Sequence, residues 1–265
     1  MHLKRWLTGI IAAPILIYVI GFGPRRFFHL LLFLTAVQGL VEFFRITSKE
    51  APKILRWIAY GITFVLFLSV SAGELFLLPP LLFICAAAPM TYFIFTYHRL
   101  ERRSTEILGK AALGPLYIAL PLVMLVIIDR FPRGEMWIFF LLVVVFACDT
   151  GAFYAGRTFG RHKLHPQVSP GKTWEGSVGG LLAGLLAAYV WSRFSSLFVF
   201  DLSVLILAAT FAVSGQIGDL AESMLKRNHG VKDSGGILPG HGGILDRIDA
   251  HLFAIPVLFV FLSWK

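Results

Sequence analysis

Apolar runs of about the length of a bilayer-crossing helix recur along this chain, and nothing else in the sequence limits the fold so strongly. A hydrocarbon core about 30 Å thick needs roughly 20 apolar residues per helix, and a helix satisfies its own backbone hydrogen bonds there. Nine runs predict spans at residues 6–22, 27–44, 55–72, 75–96, 111–128, 136–153, 177–197, 202–221 and 250–264. The ninth is the weakest, because it is short and holds His251 and Pro256. Composition agrees: 57% of the 265 residues are hydrophobic and 15% charged, against roughly 45–50% and about 25% in soluble domains. Disorder, a secreted disulfide scaffold and an ordinary cytosolic enzyme are excluded. The expected fold class is all-α, a polytopic membrane protein of about nine transmembrane helices. The chain reads as one integral domain, with mainly hydrophobic helices over 1–135 and the polar motifs within 136–265.

The first run follows Lys4 and Arg5 as a signal peptide would. Its length, and the lack of a clear small-residue cleavage site after it, predict a retained span. Cys85 and Cys148 lie in or at the end of apolar runs without a CxxC or a Cys/His cluster, so no disulfide or zinc site is expected.

The net charge of +9 is informative once it is divided between the ends of the spans. One side collects Lys4, Arg5, Arg45, Lys49, Lys53, Arg56, Arg99, Arg102, Arg103, Lys110, Arg157, Arg161, Lys163, Lys172, Lys226, Arg227, Lys232 and Arg247. The other has Arg25, Arg26, Arg130, Arg133, Arg193 and Lys265. Cytoplasmic loops carry the basic excess, which predicts a cytoplasmic N-terminus, an external C-terminus and a cytoplasmic location for both long polar stretches, 154–176 and 222–249.

The denser polar cluster runs from 215 to 249. Asp219, Glu222 and Ser223 stand at i, i+3 and i+4, on one face of a helix, and Asp246 and Asp249 repeat the i, i+3 spacing before the last run. An acid in or at the end of a membrane helix is costly and points to function. Carboxylates with a hydroxyl, and no Cys or His pair, suit a hard cation such as Mg²⁺. Lys226, Arg227, Lys232 and Arg247 supply cations nearby, and Gly230, Gly235, Gly236, Gly240, Gly242 and Gly243 let backbone amides approach an anion. An ion pair across a helix interface would explain one isolated acid. Five acids, four bases and six glycines within 219–249 favour a site for phosphate and metal.

In the other stretch, Gly171-Lys172-Thr173 invites a nucleotide P-loop, but Pro166 stands where that loop needs its first glycine and membrane helices flank it. Lys172 remains a candidate phosphate contact, with Ser169 and Thr173 as hydrogen-bonding partners; the alternative is that the basic residues here only set topology and meet lipid headgroups. Gly176, Gly180, Gly184 and Ala188 form a small-residue face suited to close helix packing. His229, His241 and His251 read as structural residues, and no Ser sits in a GxSxG elbow.

Residues 223–249, SMLKRNHGVKDSGGILPGHGGILDRID, closely resemble the C-terminal motif of phosphatidate cytidylyltransferases, also called CDP-diacylglycerol synthases. The stretch from Cys148-Asp149 through Ser169-Pro-Gly-Lys172-Thr173-Trp-Glu175-Gly176 is similar to that family as well. The resemblance implies an integral membrane enzyme, in the cell inner membrane, that joins CTP and phosphatidate into CDP-diacylglycerol and pyrophosphate during phospholipid synthesis. It implies Mg²⁺ at Asp219 and Asp246, with Ser223 or Asp249 assisting and the number of cations open, in a polar cavity facing the cytoplasm. Lys226, Arg227, Lys232 and Arg247 would be catalytic cations; Ser169, Lys172, Thr173, Glu175, Asp233, His241, Gly242 and Gly243 would serve the substrates. A homodimer surrounded by membrane lipid is expected, and no nucleic-acid partner. A CTP-dependent polyprenol kinase would share the metal and nucleotide needs. An ion-coupled transporter would also place acids inside the membrane, although no inverted repeat is visible.

Overall fold

The structure, a computed structural model, describes residues 13–48, 51–96, 102–237 and 242–264. Helix α1 covers 13–21, followed by α2 (Arg25–Thr47), α3 (Lys53–Ala72), α4 (Leu78–Thr96), α5 (Arg102–Gly114) and α6 (Leu120–Ile128). After these come α7 (Gly134–Phe159), strands β1 (Lys163–His165) and β2 (Ser169–Thr173), α8 (Trp174–Ser195), α9 (Leu202–Asn228) and α10 (Leu245–Ser263). The chain is an all-α, multi-pass membrane protein.

Among the described residues, seven helices are long and apolar enough to cross a bilayer: Arg25–Thr47, Lys53–Ala72, Leu75–Thr96, Ser104–Ile128, Gly134–Phe159, Trp174–Ser195 and Leu202–Asn228. They coincide with the second to eighth expected spans. The first expected span lies partly outside the described residues, and α1 covers its second half. The ninth falls on α10, whose opening turns carry Asp246, Arg247 and Asp249 and so shorten its apolar length.

Local sequence sets most of the breaks. Pro24 and Pro52 stand immediately before α2 and α3, where a missing N–H costs nothing. Gly73 ends α3 in the left-handed region at φ 94°, which glycine adopts without a Cβ clash. Pro115 cannot continue the regular α ladder, and the chain passes it through a π-helical segment, Pro115–Ala119, between α5 and α6.

The described residues pack as two compact units. One holds the chain up to Val126 together with Asp233–Leu245; the other holds Ile127–Lys232 and the chain from Asp246. In the first unit α2 buries Phe28, Leu32, Ala36, Leu40, Phe43 and Phe44. Gly114 admits three of these, since a Cβ there would lie 3.2 Å from the Leu40 and Phe44 side chains and 3.4 Å from Phe43. In the second unit Trp137 stacks on Phe198 at 5.2 Å, and Phe140 meets Phe198 edge-on at 5.0 Å.

The expected small-residue face is the seam between α7 and α8. Gly176, Gly180, Gly184 and Ala188 are all buried. A Cβ on Gly176 would lie 2.8 Å from the Ala152 carbonyl, and one on Gly180 2.8 Å from the Cys148 carbonyl. Such an approach of two backbones is open only to residues without side-chain bulk.

Candidate active site

The second unit brings the stretch 154–176 together with the two ends of the other, residues 222–232 and 246–249. Residues 163–173 form an antiparallel hairpin in which Lys163 pairs with Thr173 and His165 with Ser169. Thr173 caps α8, its Oγ1 accepting the Gly176 amide at 3.0 Å. Glu175 closes the loop from the other side, its carboxylate accepting the amides of Arg161 at 3.1 Å and His162 at 3.2 Å and meeting His162 Nδ1 at 2.6 Å. These two candidates for substrate contact are therefore occupied in shaping the hairpin.

That hairpin delivers Lys172. Its ammonium lies 2.7 Å from Asp219 Oδ2 on α9, so the two motifs, 47 residues apart in sequence, converge on one carboxylate. Asp219 Oδ1 accepts the Ser223 hydroxyl at 3.3 Å, as the i, i+4 spacing predicts. Gly218, next to Asp219, faces α10 so closely that a Cβ would stand 2.5 Å from the Asp249 carbonyl. This contact draws α10 onto α9. Asp249 consequently lies within electrostatic range of Asp219 and of Asp149 on α7, and Asp149 in turn senses Asp219, Lys172 and Arg247.

Two turns beyond Asp219 on α9, the Lys226 ammonium is shared by Glu222 and by Asp246, the latter at 2.7 Å. This cluster is almost dry: side-chain exposure is 1% for Glu222, 8% for Asp246 and 11% for Lys226. Glu222 Oε1 is buried and has no hydrogen-bond partner among the described residues.

The remaining candidates take other places. Arg227 is exposed and donates to the carbonyls of Val231 at 3.3 Å and Val168 at 3.4 Å. Arg247 and Lys232 are exposed. Ser169 sits on β2, half-buried. Asp233, Gly242 and Gly243 belong to the first unit, and His241 lies outside the described residues.

In the first unit Ser234, Ile244 and Leu245 close on Glu42 of α2, an acid in the second expected span. Glu42 is fully buried. Its Oε1 accepts the Ile244 amide at 3.1 Å and the Gln38 side chain at 2.9 Å; its Oε2 accepts the Leu245 amide at 2.8 Å and the Ser234 hydroxyl at 3.0 Å. The amides of Ile244 and Leu245 are thus filled by the protein's own carboxylate. Asp149, at the end of the sixth expected span, is a further acid of this kind. For Glu42 and Asp149 the signal in the sequence is an acid in or beside an apolar helix.

The residues suit Mg²⁺ of the kind that takes one or two protein carboxylates and keeps its other positions for water and phosphate oxygens. Among the described residues no three His, Cys, Asp or Glu side chains form a ready-made metal cage. Asp149, Asp219 and Asp249 nevertheless carry three formal negative charges opposite Lys172 and Arg247, and the orphaned Glu222 oxygen adds to the excess of acceptors. A hard divalent ion fits that balance.

Relatives agree with the motif. The chain is 32% identical over 263 residues to a protein of Bacillus subtilis named phosphatidate cytidylyltransferase, covering 98% of this chain and 97% of the relative. It is 34% identical over 262 residues to one of Staphylococcus epidermidis with the same name, covering 97% and 98%. One of Haemophilus influenzae is 45% identical over 134 residues, 49% of this chain and 46% of its own. The profile of the cytidylyltransferase family matches residues 3–264, and the chain belongs to that family of nucleotidyltransferases.

Proposed function

We propose that the chain is a phosphatidate cytidylyltransferase, which makes CDP-diacylglycerol and pyrophosphate from CTP and phosphatidate. The observation that carries the reading is the convergence of Lys172 from the hairpin on Asp219 of α9, beside Asp249, Glu222, Lys226 and Asp246. Alternating fixed cations and carboxylates at the end of membrane helices suit a reaction that must bring several phosphates together next to a lipid.

A phosphatidate oxygen attacks the α-phosphorus of CTP; the new P–O bond forms as the α–β bridging bond breaks, and the bridging oxygen leaves with pyrophosphate. The phosphomonoester is already anionic at neutral pH, so the attack needs no strong base. Positioning and charge stabilisation carry the catalysis. Asp219 and Asp246, with Ser223 and Asp249, would hold Mg²⁺, which when bound neutralises phosphate charge. Lys172 and Lys226 orient these carboxylates and present ammonium groups to the substrate phosphates. Arg227, Lys232 and Arg247 are exposed to meet phosphate that is approaching or leaving. Acyl chains stay in the bilayer while the headgroup reaches the polar ends of α9 and α10.

The basic excess on one side of the spans supports a site facing the cytoplasm of the cell inner membrane, and a homodimer belongs to the same reading. Purified protein in mixed micelles, given CTP, phosphatidate and Mg²⁺, is expected to yield CDP-diacylglycerol, and Asp246→Asn to lose at least about 100-fold in rate, the loss typical of one removed electrostatic group. Full activity of Asp246→Asn would refute the assignment.

A further inference from the structure

A second tie crosses from α8 to α9 one turn before Asp219. The Gln216 carboxamide on α9 accepts the Ser177 hydroxyl on its Oε1, and its Nε2 donates to the Ser177 carbonyl at 3.2 Å. Gln216, Asp219, Ser223 and Arg227 stand at i, i+3, i+7 and i+11, one stripe of α9. That stripe meets the hairpin and the start of α8 in antiparallel order: Arg227 on the Val168 carbonyl, Asp219 on Lys172, Gln216 on Ser177. The neighbouring stripe turns to α10, Gly215 to Ala250, Gly218 to Asp249 and Lys226 to Asp246. Lys172 is poorly fixed by its own pair. Its ammonium nitrogen is buried against Asp219, yet 24% of the Lys172 side chain and 37% of the Asp219 side chain stay exposed. A pair so exposed adds little to holding two elements together. The glycine seam fixes α8 against α7, not against α9. Ser177 and Gln216 fall within the seventh and eighth expected spans, where polar contacts between helices hold their register.

We infer that Gln216 is a positioning residue for the transfer reaction: through Ser177 it sets the register of α8 on α9 and so places the Lys172 ammonium on Asp219. This rests on the proposed cytidylyl transfer. The task suits a carboxamide, which offers an acceptor to the hydroxyl and a donor to the carbonyl of one and the same residue. Being neutral, it competes neither with Asp219 for Lys172 nor with Lys172 for an anion. A Leu in its place makes neither bond, and a Glu would turn an oxygen towards the Ser177 carbonyl. With the tie gone, Lys172 has a flexible four-carbon stem and only its part-exposed partner to direct it. A misplacement of about 1 Å in a group that serves the reacting phosphates costs up to roughly 100-fold in rate.

The test uses the full-length protein in lipid–detergent micelles, comparing wild type, Gln216→Leu and Ser177→Ala. Acetic anhydride labels accessible lysine amines, and mass spectrometry reads each lysine separately. Lys226, buried between Glu222 and Asp246, reports any general loosening. Gln216→Leu is expected to speed labelling of Lys172 about tenfold while Lys226 stays within about twofold, and to lower kcat about tenfold or more with KM for CTP within about threefold. Ser177→Ala adds no bulk and removes one of the two bonds; it is expected to speed Lys172 labelling about threefold, and it carries the test should Gln216→Leu not fold. Lys172 as protected as in wild type, in either variant, would overturn the inference. So would Lys172 and Lys226 rising together, which is a structural role only, or a released Lys172 with kcat unchanged. If the wild type turns over no CTP, the functional reading fails by that result, and the labelling still decides whether Gln216 holds Lys172 on Asp219.

Discussion

Replacing Lys226 by Met removes the ammonium that Glu222 and Asp246 share, and leaves two carboxylates facing each other in a nearly dry cluster. At the 2.7 Å separation from Asp246, the Coulomb attraction is about 6 kcal/mol for an effective dielectric constant near 20. Desolvation of three charged groups offsets much of that gain, so the intact cluster adds little net stability. Breaking it is another matter, because removing one partner strands the other buried charges at a cost of about 3–5 kcal/mol. For a chain of this size each kcal/mol corresponds to roughly 2–4 °C, so Lys226→Met is expected to melt on the order of 10 °C below wild type in detergent micelles. The double variant Lys226→Met/Glu222→Gln removes the charge whose Oε1 is already unpartnered, and is expected to recover at least about 1 kcal/mol of the loss. The assay is thermal unfolding followed by intrinsic fluorescence and by retention of the monodisperse peak on size exclusion. A single variant melting within about 2 °C of wild type, or a double variant no more stable than the single, would refute this account of the cluster.

The seam between α7 and α8 predicts that Gly180→Val, which places a branched side chain against the Cys148 carbonyl, abolishes the folded fraction on size exclusion, while Gly171→Ala, with nothing within 4 Å of its new Cβ, behaves as wild type. Thr173→Ala removes the α8 cap and is expected to cost about 1 kcal/mol of thermal stability, with Thr173→Ser restoring most of it.

What the residues announced, and what they did not, follows from the range of the forces involved. The spans were legible because apolar length is a local property, and their polar extensions were less so. α9 runs past residue 221 to Asn228 without a break, since Glu222, Lys226 and Arg227 favour helix as readily as the apolar residues before them. The seam of Gly176, Gly180 and Gly184 could be read from its four-residue period. The hairpin at 163–173 could not, because its basic, proline-containing strands lack the apolar alternation that marks a strand, and Glu175 and Thr173 hold it by contacts to backbone. Asp219, Glu222, Ser223, Asp246 and Asp249 were legible as two sets of helical spacing. Their assignment to Lys172 and Lys226 depends on Gly218 admitting α10 against α9, a long-range packing fact. Glu42 was visible as an acid in a span, but its partners 192 to 203 residues later were not.

Transfer of a cytidylyl group onto a phospholipid is checked by following the two ends of CTP separately. With purified protein, phosphatidate and Mg²⁺, label at the α-phosphate is expected to pass into the chloroform-soluble lipid, while label at the γ-phosphate leaves as pyrophosphate. Label from the γ-phosphate in the lipid, with CDP released, would contradict the account and identify a lipid kinase instead.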